Sequence, residues 1–300
     1  MPDKPLRIVV TGREGQVARA LAERCAERVD IELIHAARPD FDMSQPEGLA
    51  EKIAALAPDI VVNAAAYTAV DQAESEPDLA MTINATAAGE VARGARLAGA
   101  PIIQISTDYV FDGTLGRPYR ETDPVSPLGV YGRTKLAGEQ AVAEANPDHI
   151  ILRTSWVYSP FGKNFVKTML RLAETKDEID VVSDQIGNTT SAYVIGDGIL
   201  DVADWLTLRT VKANSGVYHL AGAGSASWFE FAETIFSIAA KAGVKAPDVK
   251  AITSAEYPVP AVRPEDSRLN ISQFSNAFSF DPPAWQGSLK DVVKRLIQTA

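Results

Sequence analysis

The 300-residue chain holds one cysteine, Cys25, and three histidines, His35, His149 and His219. A single thiol excludes an intrachain disulfide framework and points to a reducing compartment. The histidines lie far apart and lack metal-ligand spacing, so each reads as structural rather than as a zinc ligand. Basic residues are outnumbered: 29 Lys and Arg stand against 39 Asp and Glu, a net charge of −10. That balance argues against a nucleic-acid partner, whose phosphates need a basic face. Long apolar runs are missing too, and MPDKPLRIVVTG leads almost directly into a strand. The sequence therefore offers no signal peptide and no membrane span, and the expectation is a cytoplasmic protein without a membrane partner. No internal repeat or low-complexity stretch stands out.

What is present is ordinary globular composition, 46% hydrophobic and 23% charged, in a chain long enough for one large or two intertwined domains. LRIVVTG (6–12), IELIHAA (31–37), DIVVNAAA (59–66), PIIQIS (101–106) and HIILRTSWVY (149–158) are aliphatic runs of the kind that form buried strands. Between them, 16–28 carries Val17, Leu21 and Ala22 on one side, and 46–56 opens a helix with proline. An alanine-rich stretch over 78–98 and the segment 128–145 also read as helices. Strands and helices in alternation predict an α/β fold, a doubly wound parallel sheet covered on both faces. Past residue 156 the alternation loosens and Gly, Asn, Pro and Ser accumulate in loops. Residues 1–155 read as one dinucleotide-binding domain, and 156–300 as a smaller, partly interwoven lobe for substrate.

VVTGREGQVARAL sets Gly12, Gly15 and Ala18 between the first strand and the first helix. The spacing is G-x-x-G-x-x-A rather than G-x-G-x-x-G. Gly12 permits a tight turn, and Gly15 lets backbone N–H groups approach a pyrophosphate at the helix N-terminus. Gln16 and Val17, which open that helix, are further candidate cofactor contacts. A plain structural turn is the alternative. The second strand runs into Ala36, Ala37 and Arg38, with no carboxylate to bind a ribose 2′-hydroxyl. An arginine there suits a 2′-phosphate, although a solvated surface arginine has the same sequence. The expectation is NADPH, with NADH as the alternative. Asp42 and Met43 lie where the next loop could cover the adenine.

The fourth strand ends in ISTDYVFDG (105–113), and parallel sheets bind ligands outside the carboxyl ends of their strands. Ser106, Thr107 and Tyr109 are thereby candidates. Downstream, VYGRTKLAGEQ puts Tyr131 and Lys135 four residues apart on one helical face. The bland reading is a solvated surface pair. The chemical one is a proton donor with a tuned pKa: reduction of a ketone needs hydride at carbon and a proton at oxygen. Free tyrosine titrates near ~10, and a nearby ammonium is expected to lower that value. Thr107 can hydrogen-bond the oxygen on which charge develops. A strand-end hydroxyl followed by Y-x-x-x-K resembles the active-site pattern of the short-chain dehydrogenase/reductase superfamily.

The resemblance narrows over nearly the whole chain. TGREGQVA, NAAAYTAVDQAE (63–74), STDYVFDG, YGRTKLAGE, LRTSWVY (152–158), DQIGNTT (184–190), GVYHLAG (216–222) and RPEDSRL (263–269) occur in that order. Together they resemble the dTDP-4-dehydrorhamnose reductase family. The resemblance implies a Rossmann-like fold and NADPH-dependent reduction of the 4-keto group of dTDP-4-dehydrorhamnose to dTDP-L-rhamnose. It makes Tyr131 the proton donor, Lys135 its partner and holder of the cofactor ribose, and Thr107 the tuning hydroxyl. Ala64, Ala65 and Ala66 would line the dinucleotide, unless they are only a packed strand end. Thr107, Asp108 and Tyr109 would meet substrate, and Trp156 would contact the sugar nucleotide unless it is core.

Three positions depart from the family pattern. Thr189 replaces the proline of D-Q-x-G-x-P-T, which is expected to loosen that loop. Asp266 replaces the asparagine of R-P-x-N-S, so donation from that side chain is lost at neutral pH. Some relatives dimerise through Mg²⁺ held by acidic residues, and the matching position on the first helix here is Ala20. No metal is therefore expected, and a homodimer, if formed, would not be metal-bridged. Two alternatives stay open: a reductase of a related dTDP-4-keto-6-deoxysugar, and a catalytically silent nucleotide-binding subunit.

Overall fold

Five aliphatic runs of the first half become parallel neighbours in one sheet: β1 (Leu6–Thr11), β2 (Ile31–Ala36), β3 (Ile60–Asn63), β4 (Ile102–Thr107) and β5 (His149–Thr154). This computed structural model describes residues 4–208 and 214–298. A sixth strand, Gly216–His219, comes from the second half of the chain and pairs parallel with β5. The spatial order is Gly216–His219, β5, β4, β3, β1, β2. The order reverses between β1 and β3, and that switch point opens the crevice where such sheets take ligands.

Both faces of the sheet are dry. Ile8 and Val10 of β1 point into one core with Ile60, Val62, Ile103, Ile150 and Leu152. Val9, Val61 and Ile102 point into the other. The first core is closed by α1 (Gln16–Cys25) and the helix Ala192–Leu208, which pack on each other. The second is closed by α2 (Leu49–Ala55), α5 (Ala87–Leu97) and α6 (Val130–Ala145), with the short α3 (Val70–Ala73) and α4 (Pro77–Met81) at one end. Burial on both faces explains why the strands read as continuous apolar runs.

The remaining second half builds its own core. Tyr158, Phe231, Trp285 and Leu289 are fully or almost fully buried there. Helices Phe165–Ala173, Trp228–Lys241 and Trp285–Gln298 and the parallel pair Glu178–Val182 with Asp248–Ile252 surround it. Ser227 and Glu230 close a reciprocal cap at the start of Trp228–Lys241. Among the described residues, no helix is long and apolar enough to cross a membrane.

Some boundaries differ from the sequence expectation. The run 149–158 breaks after Thr154, because Trp156 adopts a left-handed φ of 44°, and Val157–Tyr158 then pairs with Thr190–Ser191 instead. The helix expected from residue 46 begins at Leu49, after Gly48 turns the chain at φ 75°. The alanine-rich helix contains a π turn at Thr82–Thr86, and the side chain of its Asn84 accepts from Tyr67 N at 2.8 Å.

Candidate active site

The crevice at the switch point is built from short side chains. Gly12 has φ 83°, a conformation that favours glycine, and its N–H donates to Ala36 O at 2.8 Å, tying the turn to the tip of β2. Gly15 precedes α1, and a Cβ added there would meet nothing within 4 Å. The turn is thus open where a phosphate approaches a helix N-terminus. Thr11 Oγ1 accepts from the N–H groups of Ala64 (3.0 Å) and Ala65 (2.9 Å) and donates to Asn63 Oδ1 at 2.6 Å. Asn63 Nδ2 in turn donates to Gln104 Oε1 at 2.7 Å. Alternating strand periodicity gave no sign of this network, which fixes the Ala64–Ala66 loop across three strands. Ala66 continues the same partly exposed loop.

Two cofactor candidates are differently used. Gln16 turns its side chain to the second half: Nε2 donates to Val157 O at 3.3 Å, and Oε1 accepts from Ser159 Oγ and Asn164 Nδ2. Val17 packs into the core beside Leu21. Only their backbone is left for a ligand, since an amphipathic helix start must also seat itself on the sheet. Arg38 is exposed at the β2 tip, and its charge acts on Asp42. Asp42 Oδ1 already accepts from Ser44 N (2.9 Å) and Ser44 Oγ (2.8 Å), which holds its carboxyl below the usual range. The Met43 side chain is buried among Ala36, Leu49 and Ile53, so it packs the core.

At the end of β4, Thr107 is buried, and its hydroxyl donates to Asp108 Oδ1 at 3.0 Å and accepts from Tyr109 N at 3.2 Å. Burial pushes the Asp108 carboxyl up to about 7, opposed by the neighbouring Ser267 and Thr107 hydroxyls. Tyr109 and Tyr131 meet edge to face, with ring centroids 5.6 Å apart. Burial pushes the Tyr131 phenol up to about 12; the Thr107 hydroxyl opposes the shift and the Asp108 charge adds to it. This reverses the expected sign. Burial outweighs what lowers the phenol, and the Lys135 ammonium donates to Ile105 O at 2.8 Å. Lys135 is itself buried, which pushes it down to about 8 against the pull of Glu139.

The helix carrying this pair is pinned at its start. Val130 N donates to Glu74 Oε1 at 2.7 Å. Asn84 Nδ2, from the π turn, donates to Thr134 Oγ1 at 3.0 Å, and Thr134 Oγ1 donates to Tyr131 O at 3.0 Å. Arg263 reaches from the second half to Asp71 Oδ2 at 2.8 Å, and its charge acts on Tyr109. The sequence reading missed Asn84, Glu74 and Arg263 as individual site residues; the last two already lay in quoted motifs.

Just after β5, the Trp156 indole stacks on Trp228, centroids 3.6 Å apart and planes within 5°. A Cβ on Gly187 would stand 2.6 Å from the Trp156 ring, so the glycine of DQIGNTT makes room for it. Thr189 sits fully buried in a tied segment: Asn188 donates to Gly224 O at 2.7 Å and accepts from Leu269 N at 2.7 Å. The expected loosening of that loop is not seen. Asp266 is engaged in a two-pronged ion pair with Arg268, Nε to Oδ1 at 2.8 Å and Nη2 to Oδ2 at 2.6 Å. Ala20 is buried with Phe161 and Ala192.

A parallel sheet with a glycine turn at its switch point, and a strand-end hydroxyl facing a Tyr-x-x-x-Lys helix, defines an NAD(P)H-dependent oxidoreductase of the short-chain dehydrogenase/reductase type. Residues 6–298 match the family model described as RmlD substrate binding domain. The chain is 46% identical over 292 residues to the dTDP-4-dehydrorhamnose reductase of Sinorhizobium fredii, covering 97% of this chain and 98% of the relative. It is 42% identical to the Escherichia coli K12 reductase, covering 98% and 99%. A crystal structure of the Bacillus anthracis reductase in complex with NADP superposes with a TM-score of 0.89 at 35% identity, covering 97% of this chain and 99% of that one. The chain belongs to the dTDP-4-dehydrorhamnose reductase family.

Proposed function

We propose that the protein reduces the 4-keto group of dTDP-4-dehydrorhamnose to give dTDP-L-rhamnose, with NADPH as reductant. The observation that carries this reading is the placing of Tyr131, on its Tyr-x-x-x-Lys helix, beside the buried Thr107 hydroxyl at the carboxyl end of β4. Substrate and cofactor come from the named relatives, one of them solved with NADP. Bound NADPH supplies the hydride. Tyr131 holds the proton for the carbonyl oxygen at its Oη, and a phenol near 12 keeps it there at neutral pH. Thr107 offers a hydroxyl to the same oxygen as charge develops. Lys135 holds a positive charge within the same helix turn. Gly12, Gly15 and the Ala64–Ala66 loop would leave space for the dinucleotide, and Arg38 would pair with its 2′-phosphate. Residues 1–155 are the main dinucleotide-binding part, and 156–300 mainly hold the sugar nucleotide, with Trp156 against it.

The test is turnover of dTDP-4-dehydrorhamnose with NADPH, followed by NMR of the product. Consumption of NADPH with L-rhamnose stereochemistry supports the proposal. A different epimer would reassign the substrate to a related 4-keto-6-deoxysugar. Tight dTDP binding without turnover would make the chain a silent subunit.

A further inference from the structure

Three successive residues at the end of β4 each meet one residue of α6. The Thr107 hydroxyl acts on Tyr131, Ile105 O accepts from Lys135 Nζ at 2.8 Å, and Ser106 Oγ donates to Glu139 Oε1 at 2.5 Å. Tyr131, Lys135 and Glu139 are spaced by four, one above another on the same helical face. The first two belong to the proposed chemistry. Glu139 has no part in it, yet it is the most heavily engaged of the three. It is buried, and both its oxygens are taken by Arg153 of β5, Nε to Oε1 at 2.9 Å and Nη2 to Oε2 at 2.7 Å. Each side chain of that pair is only 5% exposed.

A buried ion pair is a weak device for stability, because desolvation offsets much of the attraction. It is an effective way to hold one negative charge at a fixed place in a dry interior. We propose that Glu139, clamped by Arg153 and Ser106, is a positioning residue that keeps Lys135 charged during turnover. The inference rests on the reading of Tyr131 and Lys135 given above.

The surroundings leave this task to Glu139. On its own helix Lys135 is flanked by Tyr131, which is protonated at neutral pH, and Arg133 and Glu144 are exposed. From the end of β4 come the Ser106 and Thr107 hydroxyls and Asp108, whose carboxyl is pushed up by burial. From β5 comes Arg153, and next to it lie His219, pushed down to about 3, and Glu121, pushed up by burial. From α3 to α5, Asp71 pairs with Arg263, Glu74 accepts from Val130 N, Glu90 pairs with Arg93 and Asp78 is exposed. The π turn Thr82–Thr86 holds no ionisable side chain. Among the described residues, Glu139 supplies the charge that raises Lys135 against its burial. Removing that charge lets Lys135 lose its proton at a lower pH, so activity should fall earlier on the alkaline side.

The test compares pH profiles of kcat with melting temperatures for the holoenzyme and its variants. Glu139→Gln leaves Arg153 buried without a counter-charge and is expected to melt early. Glu139→Gln combined with Arg153→Met removes both charges, a replacement that buried pairs often tolerate, and keeps the question answerable in a folded protein. Glu139→Asp retains the charge. The expected result is an alkaline limb shifted down by roughly one pH unit in the double variant, with about tenfold lower kcat above the limb and little loss at pH 6.5. Glu139→Asp should restore the native limb. A double variant with native melting temperature and native alkaline limb would show that Glu139 only holds β5 to α6, and would overturn the proposal. Lys135→Met is measured alongside. Full turnover in that variant would remove the reading of Lys135 itself, a failure distinct from that of Glu139.

Discussion

Tyr131 shows how burial and charge compete at a single side chain. An ammonium four residues along the helix should favour phenolate, but Lys135 donates to Ile105 O and burial wins, moving the phenol up to about 12. For the proposed reduction this sign is the useful one, since Tyr131 as donor would be loaded at neutral pH. Tyr131→Phe should keep fold and cofactor affinity and lose roughly 10²–10⁴-fold in kcat; near-native kcat in the purified variant would mean another acid serves. Arg38 is exposed, so the proposed contact with a 2′-phosphate would be worth less than the ~1.5–3 kcal/mol of a well-shielded charge-assisted bond. Arg38→Ala should weaken NADPH binding and leave NADH nearly unchanged in parallel titrations. Equal affinities of the parent for both cofactors would remove the basis for that assignment. Asp108 gives a pH dependence of stability. Its folded pKa of about 7 stands above the ordinary carboxyl value, so the folded state binds the proton more tightly than the unfolded one. The contribution is full below about pH 4 and is lost as pH rises through about 7. Asp108→Asn, which mimics the protonated form, should therefore gain stability relative to the parent as pH goes from 4 to 8, by at most about 4 kcal/mol, seen as a rising difference in melting temperature. Parallel melting curves across that range would contradict it.

Helix α6 sits where it does because two of its residues have no side chain. A Cβ on Gly132 would stand 2.2 Å from Tyr109 O, and one on Gly138 would stand 2.0 Å from Asn84 O. Gly132→Ala should push the helix off the β4 turn, costing roughly 1–3 kcal/mol in denaturant unfolding and lowering kcat together with stability. Gly287, in the exposed face of Trp285–Gln298 with nothing within 4 Å, is the contrast: alanine there should stabilise by roughly 0.5–1 kcal/mol. Equal effects at the two sites would mean that helix propensity, not contact, decides. The same packing explains what could be read from the sequence. β1 to β5 were legible because strands buried on both faces are written as unbroken apolar runs. Gly216–His219 was not read as a strand, because GVYH is short and its place is fixed only by pairing with β5. The π turn at Thr82–Thr86 was hidden inside a regular alanine pattern, and the partners of its Asn84, Tyr67 and Thr134, lie far off in sequence. Tyr131, Lys135 and Thr107 were singled out from spacing plus strand-end position, and the fold brings them together at the end of β4. Trp228, stacked on Trp156 from 72 residues away, carried no local signal.

Over the whole molecule, α1 ties the two halves together through Ala192–Leu208 and Arg295, and it also carries Ala20, the position considered for a bridging cation. Ala20 is buried against Ala192 and Phe161 and offers no ligand. One turn on, Glu23 carries a carboxylate, but Arg295 of the last helix takes both its oxygens, at 2.6 and 2.8 Å, and the Tyr193 hydroxyl donates to it at 2.6 Å. These partners hold Glu23 down at about 2, Arg295 foremost. Arg295 and Arg19 also lie over the Phe161 ring. This face therefore already has a guanidinium beside its carboxylate, whereas Mg²⁺ requires hard oxygen ligands, usually carboxylates and waters. A divalent ion would have to compete with Arg295 for Glu23. Subunit association, whatever its extent, and turnover should be unchanged by excess Mg²⁺ and by EDTA. Sedimentation and kcat measured in both conditions check this. A fall in both on chelation, restored by Mg²⁺, would show that carboxylates elsewhere form the bridge. Glu23→Gln separates the two cases further. With an internal pair it should lower the melting temperature modestly, the pair being exposed, and leave association alone. With a metal bridge it should leave association dependent on Mg²⁺ concentration.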